Sequence, residues 1–126
     1  MSKDYAQALH QFWSSFEWAA YDSATVPSSD FNPELPRITY SVVIDEFLSD
    51  VMMPVSLWDR TYSWENISKK AEEIYNYIGL GGRFIEYDDG HIWIRRGHPF
   101  AQRMADEDDT IRRIYLNIEA EYITGR

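Results

Sequence analysis

The sequence predicts an α+β domain: a mainly antiparallel sheet of four to five strands with two helices packed on one face. Two stretches place apolar residues at steps of three and four, the period of a helix with one buried side. Three others alternate apolar and polar residues, the period of a half-buried strand, and an Asp-Gly turn sits between two further strand-like runs. Strands joined by short turns favour antiparallel pairing. Helices with a single apolar face suit one side of such a sheet, which leaves its other face or its edge for neighbours.

From Lys3 to Tyr21, residues Tyr5, Ala8, Leu9, Phe12, Trp13, Phe16, Ala19 and Ala20 follow helical steps and predict the first amphipathic helix. Residues 22–36 read as a connector, with Asp22, Ser23, Ser28, Ser29, Asp30, Asn32 and three of the five prolines, Pro27, Pro33 and Pro36. A loop of that length without an element of its own points to function or mobility, with Val26, Phe31 and Leu35 as pegs. Ile38, Tyr40, Val42 and Ile44 alternate with Thr39, Ser41, Val43 and Asp45; Val51, Met53, Val55 and Leu57 repeat the pattern after a turn at Leu48-Ser49-Asp50. The two runs are expected to pair as an antiparallel hairpin. Pro54 cannot donate to a ladder, which places it on an edge strand or at a bulge.

The second helix starts near Ser63, whose hydroxyl can accept from a free first-turn amide, with Glu65 at the positive end of the helix dipole. Ile67, Ala71, Ile74 and Ile78 form its apolar stripe, while Lys69, Lys70, Glu72, Glu73 and Asn76 face elsewhere. Gly79, Gly81 and Gly82 stop it. Residues 83–87 and 91–95 then read as two strands around Asp88-Asp89-Gly90, the second ended by Gly97-His98-Pro99. Ile111 to Ile123 alternates Ile114, Leu116 and Ile118 against Arg113, Tyr115, Asn117 and Glu119, a late strand. The whole, residues 1–126, reads as a single domain whose sheet-helix-sheet core spans 37–123.

Composition narrows the chemistry. Forty-four per cent apolar residues, with five Trp and nine Tyr, are ample for a packed core. No apolar run is long enough to span a membrane and no signal segment is evident, so a cytoplasmic, membrane-free protein is expected. With no Cys there is no thiolate or disulfide chemistry, and three histidines, His10, His91 and His98, make a histidine-rich metal site improbable. A net charge of −9 argues against general nucleic-acid affinity and suits protein partners.

No catalytic constellation stands out, and no cofactor is expected. Asp106-Glu107-Asp108-Asp109 offers oxygen ligands but lacks the alternating positions, central Gly and distal Glu of a calcium loop, so it reads as a solvated loop. Arg95-Arg96 and Arg112-Arg113 are paired cations that could meet the acidic run within the chain or across a subunit boundary. His98 has no nucleophile or second histidine near it in sequence and reads as a turn residue. Gly79-Leu80-Gly81-Gly82 follows a helix, the reverse of a phosphate cradle. Trp58, Trp64 and Trp93 are core candidates, although a Trp at a strand end also makes an interface anchor.

The chain resembles the tail terminator or tail-completion proteins of long-tailed bacteriophages, small minor tail or minor capsid components. The residues that carry the resemblance are Pro36-Arg37-Ile38-Thr39-Tyr40; Val55-Ser56-Leu57-Trp58-Asp59-Arg60-Thr61-Tyr62-Ser63-Trp64 with the helix after it; Ile92-Trp93-Ile94-Arg95-Arg96-Gly97-His98-Pro99-Phe100-Ala101-Gln102; and Asp108-Asp109-Thr110-Ile111-Arg112-Arg113-Ile114-Tyr115-Leu116-Asn117-Ile118. The resemblance implies a sheet with helices packed on it and a structural, non-enzymatic role in the virion. Six copies would form a ring, assembled in the bacterial cytoplasm, that stops tail-tube polymerisation and faces the head connector, with DNA passing through it. Its partners would then be itself, the tail-tube protein and the connector. A ring needs a heterologous interface, and Trp58, Arg60, Arg95, Arg96, Asp106, Asp108, Asp109, Arg112 and Arg113 are the candidate contact residues, with Arg112 and Arg113 against the acidic run. A head-tail neck adaptor shares these features. A cellular protein-binding module and a metal-dependent hydrolase using the acidic run are the competing classes.

Overall fold

A computed structural model describes residues 4–24, 35–43 and 50–124. The chain is α+β, with two helices and one six-stranded mixed sheet. In chain order the elements are α1 (Tyr5–Ser14), β1 (Ala19–Asp22), β2 (Arg37–Tyr40), β3 (Asp50–Arg60), α2 (Glu65–Ile78), β4 (Arg83–Tyr87), β5 (Gly90–Met104) and β6 (Ile111–Thr124). The strand order is β1-β2-β3-β6-β5-β4, antiparallel throughout except that β1 runs parallel to β2.

The expected four to five strands are therefore six, because the first helix is shorter than its periodicity suggests. Asp4 caps α1 through a reciprocal pair in which its carboxylate accepts from the Gln7 amide at 2.8 Å and Gln7 Oε1 accepts from the Asp4 amide at 3.1 Å. The other end closes at Ser15, whose amide and hydroxyl both donate to the Phe12 carbonyl. Glu17 then takes a left-handed φ of 70° and turns the chain. Ala19 and Ala20, which continue the spacing of three and four, lie in β1 instead of the helix. Phe16 stays in the core although it has left the helix.

Strands β2 and β3 pair antiparallel as expected, with Arg37 opposite Trp58 and Tyr40 opposite Val55. The turn expected at 48–50 and residues 25–34 of the connector lie outside the described residues, apart from the backbone of Asp50 in β3. Pro54 lies in β3, an inner strand and not an edge strand, but just past the last pair with β2, where among the described residues β3 has only β6 beside it. The next pair after Tyr40 and Val55 would be Ser41 and Pro54: the Ser41 amide donates to the Pro54 carbonyl at 2.9 Å, but Pro54 has no N–H to return the bond. Proline thus marks where the β2–β3 ladder stops while β3 continues against β6.

Helix α2 begins one residue later than the Ser63 cap suggests. Trp64 holds the cap position, and Ser63 Oγ accepts from the Glu65 amide at 3.1 Å. Ile67, Ala71, Ile74 and Ile78 are all buried, and Gly79 ends the helix at φ 72°. Asp88 and Asp89 form the β4–β5 turn, with Gly90 already paired to Tyr87. The prediction that Gly97-His98-Pro99 ends the following strand fails. Arg96 pairs with Ile118 and Ala101 with Leu116, so residues 97–100 bulge opposite Asn117 alone and β5 resumes beyond them. Asn117 Nδ2 donates to the Pro99 carbonyl at 2.6 Å, and a Cβ on Gly97 would lie 2.6 Å from the Asn117 carbonyl oxygen, so the close approach requires glycine there.

Both helices bury their apolar stripes in one core together with Ile38, Met53, Val55, Leu57, Ile92, Ile94, Leu116 and Ile118. Phe12 and Phe16 of the α1 segment pack on Tyr77 of α2. Helix α1 also touches both β1 and β4, the two outermost strands, so the sheet curls around its helical side.

Candidate interaction surface

Because side chains alternate along a strand, the positions between the buried ones form the uncovered face. Trp58 and Arg113 are opposite each other in register there. The Trp58 indole donates to Thr39 Oγ1 at 2.9 Å; the Arg113 guanidinium lies 4.5 Å over the Trp58 ring and donates to Ser56 Oγ at 3.1 Å. A second stack lies across the sheet, where Arg95 sits 4.1 Å over Trp93 and reaches Glu121 at 3.3 Å and Glu119 at 3.7 Å. Trp93 in turn stacks on Phe84 with centroids 5.2 Å apart, and Phe84 is 58% exposed. The face is therefore aromatic, cationic and anionic in alternation, with Met52 and Met104 exposed beside it.

The adjacent arginines do not act as pairs. Arg96, on the opposite side of the strand from Arg95, lies 3.4 Å over the Tyr75 ring and donates to the Tyr75 carbonyl at 2.8 and 3.0 Å. Arg112 turns away from Arg113, donates to the Tyr62 and Asp109 carbonyls at 3.0 Å, and shares the Trp64 ring with Arg103. Trp58, Trp64 and Trp93 are each half-buried at the margins of the core or on the uncovered face.

Within this chain Arg112 thus donates to carbonyls, that of Asp109 among them, and Arg113 to Ser56, while the carboxylates of Asp106 and Asp108 meet other groups. Asp108 accepts from the Thr110 amide at 2.8 Å and its hydroxyl at 2.6 Å, and faces Arg60 at 3.5 Å. The Thr110 hydrogen bonds, with Arg60 behind them, hold the Asp108 carboxyl below its ordinary value. Asp106 accepts from the Asp108 amide at 2.9 Å. These contacts make residues 106–110 a self-bonded turn between β5 and β6, and among the described residues no three His, Asp or Glu side chains gather as a metal site. His98 lies exposed on the bulge.

Sequence reasoning missed an apolar cleft of about 390 Å³ between α2 and the resumed β5, walled by Tyr75, Phe100, Ala101 and Ile114. Its signal is hidden because Phe100 and Ala101 fall behind the apparent stop at Gly97-His98-Pro99. No family model, no curated protein and no solved structure matches this chain.

Proposed function

We propose that this chain is a structural protein of a long-tailed bacteriophage, one that closes the end of the tail tube as a ring of copies and offers the tail-side surface to the head connector. One observation carries the reading from sequence into three dimensions. The four stretches that resemble tail terminator proteins supply β2, β3, β5 and β6, four neighbouring strands in the order β2-β3-β6-β5. They form one continuous surface instead of scattered segments. Its uncovered side, with the Trp58–Arg113 and Trp93–Arg95 stacks, has the aromatic and arginine content that protein interfaces favour. The role assigned is mechanical and involves no catalysis or cofactor.

The test is electron microscopy of negatively stained particles made in the host when the phage lacks this gene. Overlong tubes without heads are the expected result. Tails of normal length lying beside filled heads would instead assign the chain to the head-tail neck as an adaptor. Normal infectious particles would overturn the structural reading.

A further inference from the structure

The pairing of the inner strands fixes where each backbone group of β5 points. The Ser41 amide donates to the Pro54 carbonyl, so Pro54 directs its backbone to β2, while Val55 and Leu57, of the other parity, direct theirs to β6. Leu116 and Ile114 lie opposite those two residues and therefore turn their N–H and C=O groups back to β3. Ala101 is opposite Leu116, and Arg103 is opposite Ile114. Neither finds a backbone partner in β6, so both present N–H and C=O on the outer side of β5. Strand β4 covers that side only from Gly90 to Ile94. Among the described residues no strand pairs with it from Ala101 to Met104, and all four residues are exposed.

Short free edges are ordinary, and a bulge or a charge often guards them. This one borders a hollow of matching shape. The cleft of about 390 Å³ has Ala101 and Arg103 in one wall and Ala71, Glu72 and Tyr75 of α2 in the other. Ala101 and Arg103 share the covered face with Leu116 and Ile114, so a strand laid along them would point every second side chain toward α2. The cleft occupies the place that a longer β4 would have filled. Main-chain groups at strand spacing are matched by an extended peptide and by little else.

Charge marks the two ends. Tyr75 meets Phe100 at 5.1 Å and Arg103 lies 4.7 Å over Trp64, so α2 and β5 run antiparallel across the cleft. Exposed Glu72, one turn before Tyr75, is therefore toward the Phe100 end, and Arg103 is at the other. Among the described residues neither meets an opposite charge, since Arg103 rests on the Trp64 ring alone.

We propose that the free edge of β5 at Ala101 and Arg103 binds an extended segment of another protein, added as a strand beside α2. That segment places an apolar side chain in the cleft, an acid at the Arg103 end and a base at the Glu72 end. Main-chain bonds supply the affinity, and the cleft with its two charges supplies the selectivity. The site is separate from the uncovered sheet face and stands whether or not the chain belongs to a phage tail.

Amide hydrogen exchange of the purified full chain, read residue by residue by NMR, tests it. In the free protein the Ala101 and Arg103 amides should exchange fast while Gln102, bonded toward Tyr115, is protected. Two end-blocked peptides, Thr-Asp-Thr-Leu-Thr-Lys-Thr and its reverse, Thr-Lys-Thr-Leu-Thr-Asp-Thr, serve as probes for the two strand directions. One of them should bind, slow exchange at both Ala101 and Arg103, and weaken at least about tenfold when its Leu becomes Ser. Ala101→Pro removes an N–H without a partner in the monomer, so it should keep the unfolding curve and weaken binding about fivefold. Arg103→Glu is the second variant, and it should prefer the probe in which Lys replaces Asp. Ala101 and Arg103 amides already protected in dilute free protein would overturn the free edge. Protection that grows with protein concentration would give the edge to a second copy and overturn the assignment to another protein. Failure of both probes to bind at about 1 mM, or binding that leaves the two amides fast, would overturn strand addition.

Discussion

The two faces of the sheet are written in the same letters of the same strands and do different work. In β6, Ile114, Leu116, Ile118, Ala120 and Tyr122 are buried under the helices, while Arg113, Tyr115, Asn117, Glu119 and Glu121 stand between them on the uncovered side. The covered face is held by the removal of apolar surface from water, which is non-directional and large. The uncovered face is held by rings under guanidinium groups and by single hydrogen bonds, which are directional and small. Stability belongs mainly to the first, and the second is the face we propose for partners.

The largest expected effect breaks the covered face. Leu116→Ala, at a fully buried position central in the sheet, should destabilise by about 3 kcal/mol. Tyr115→Ala, its neighbour on the other side, should cost about 1 kcal/mol or less. Urea unfolding of both variants reads the contrast as midpoints that differ at an unchanged slope. Equal losses would mean that the two faces contribute alike. Next in size is Gly97→Ala, where an added Cβ meets the Asn117 backbone at 2.6 and 2.9 Å. Displacing the bulge should cost about 2 kcal/mol by the same measurement. A neutral result would show that residues 97–100 can shift freely.

Alkaline pH probes the covered face through its buried tyrosines. Burial, then the nearby Asp22 carboxylate, pushes Tyr40 up to about 12, and burial is the first cause that raises Tyr122 and Tyr87 as well. All three are neutral in the fold and would ionise at about 10 in the unfolded chain. Their contribution to stability is whole below about pH 10 and is lost as pH rises through the folded values, because the unfolded state sheds its protons first. Thermal unfolding measured from pH 8 upward should therefore fall off above about pH 10, and Tyr40→Phe should soften that fall. Superimposable alkaline limbs for the variant and the wild type would remove Tyr40 from this account.

Much of this was legible in the letters wherever several local signals agreed. Helix α2 had an acceptor near its start, one apolar stripe and a glycine at its stop, and its buried residues are the four the stripe named. The end of α1 was hidden because Phe16, Ala19 and Ala20 sustain helical spacing by coincidence, and nothing in a glutamate announces a left-handed φ. The continuation of β5 was hidden because Gly97-His98-Pro99 has the letters of a stop, and only the partner strand shows that Asn117 closes the bulge. One separation could have been read earlier. Once 91–95 is a strand that continues, adjacent arginines must point to opposite faces, so Arg95 and Arg96 could not act as one cationic pair. The partners of Trp58 and Arg113 were beyond reach, since their meeting depends on the register between strands 55 residues apart in sequence.

The smallest effect concerns that pair, and it decides what the uncovered face does for the monomer. Arg113 touches the Trp58 ring and Ser56, both on β3, and Trp58 also bonds Thr39 on β2, so the contact links three adjacent strands. If the stack stabilises the chain, Trp58→Leu and Arg113→Met should each cost up to about 1 kcal/mol, and the double variant should lose less than the two losses combined by about 0.5 kcal/mol. Chemical unfolding of the four proteins measures that difference. Strict additivity would mean the ring and the guanidinium are not coupled in the monomer. Measurable coupling would mean that the stack holds both side chains in place in the monomer, the preorganisation that the proposed interface role would use.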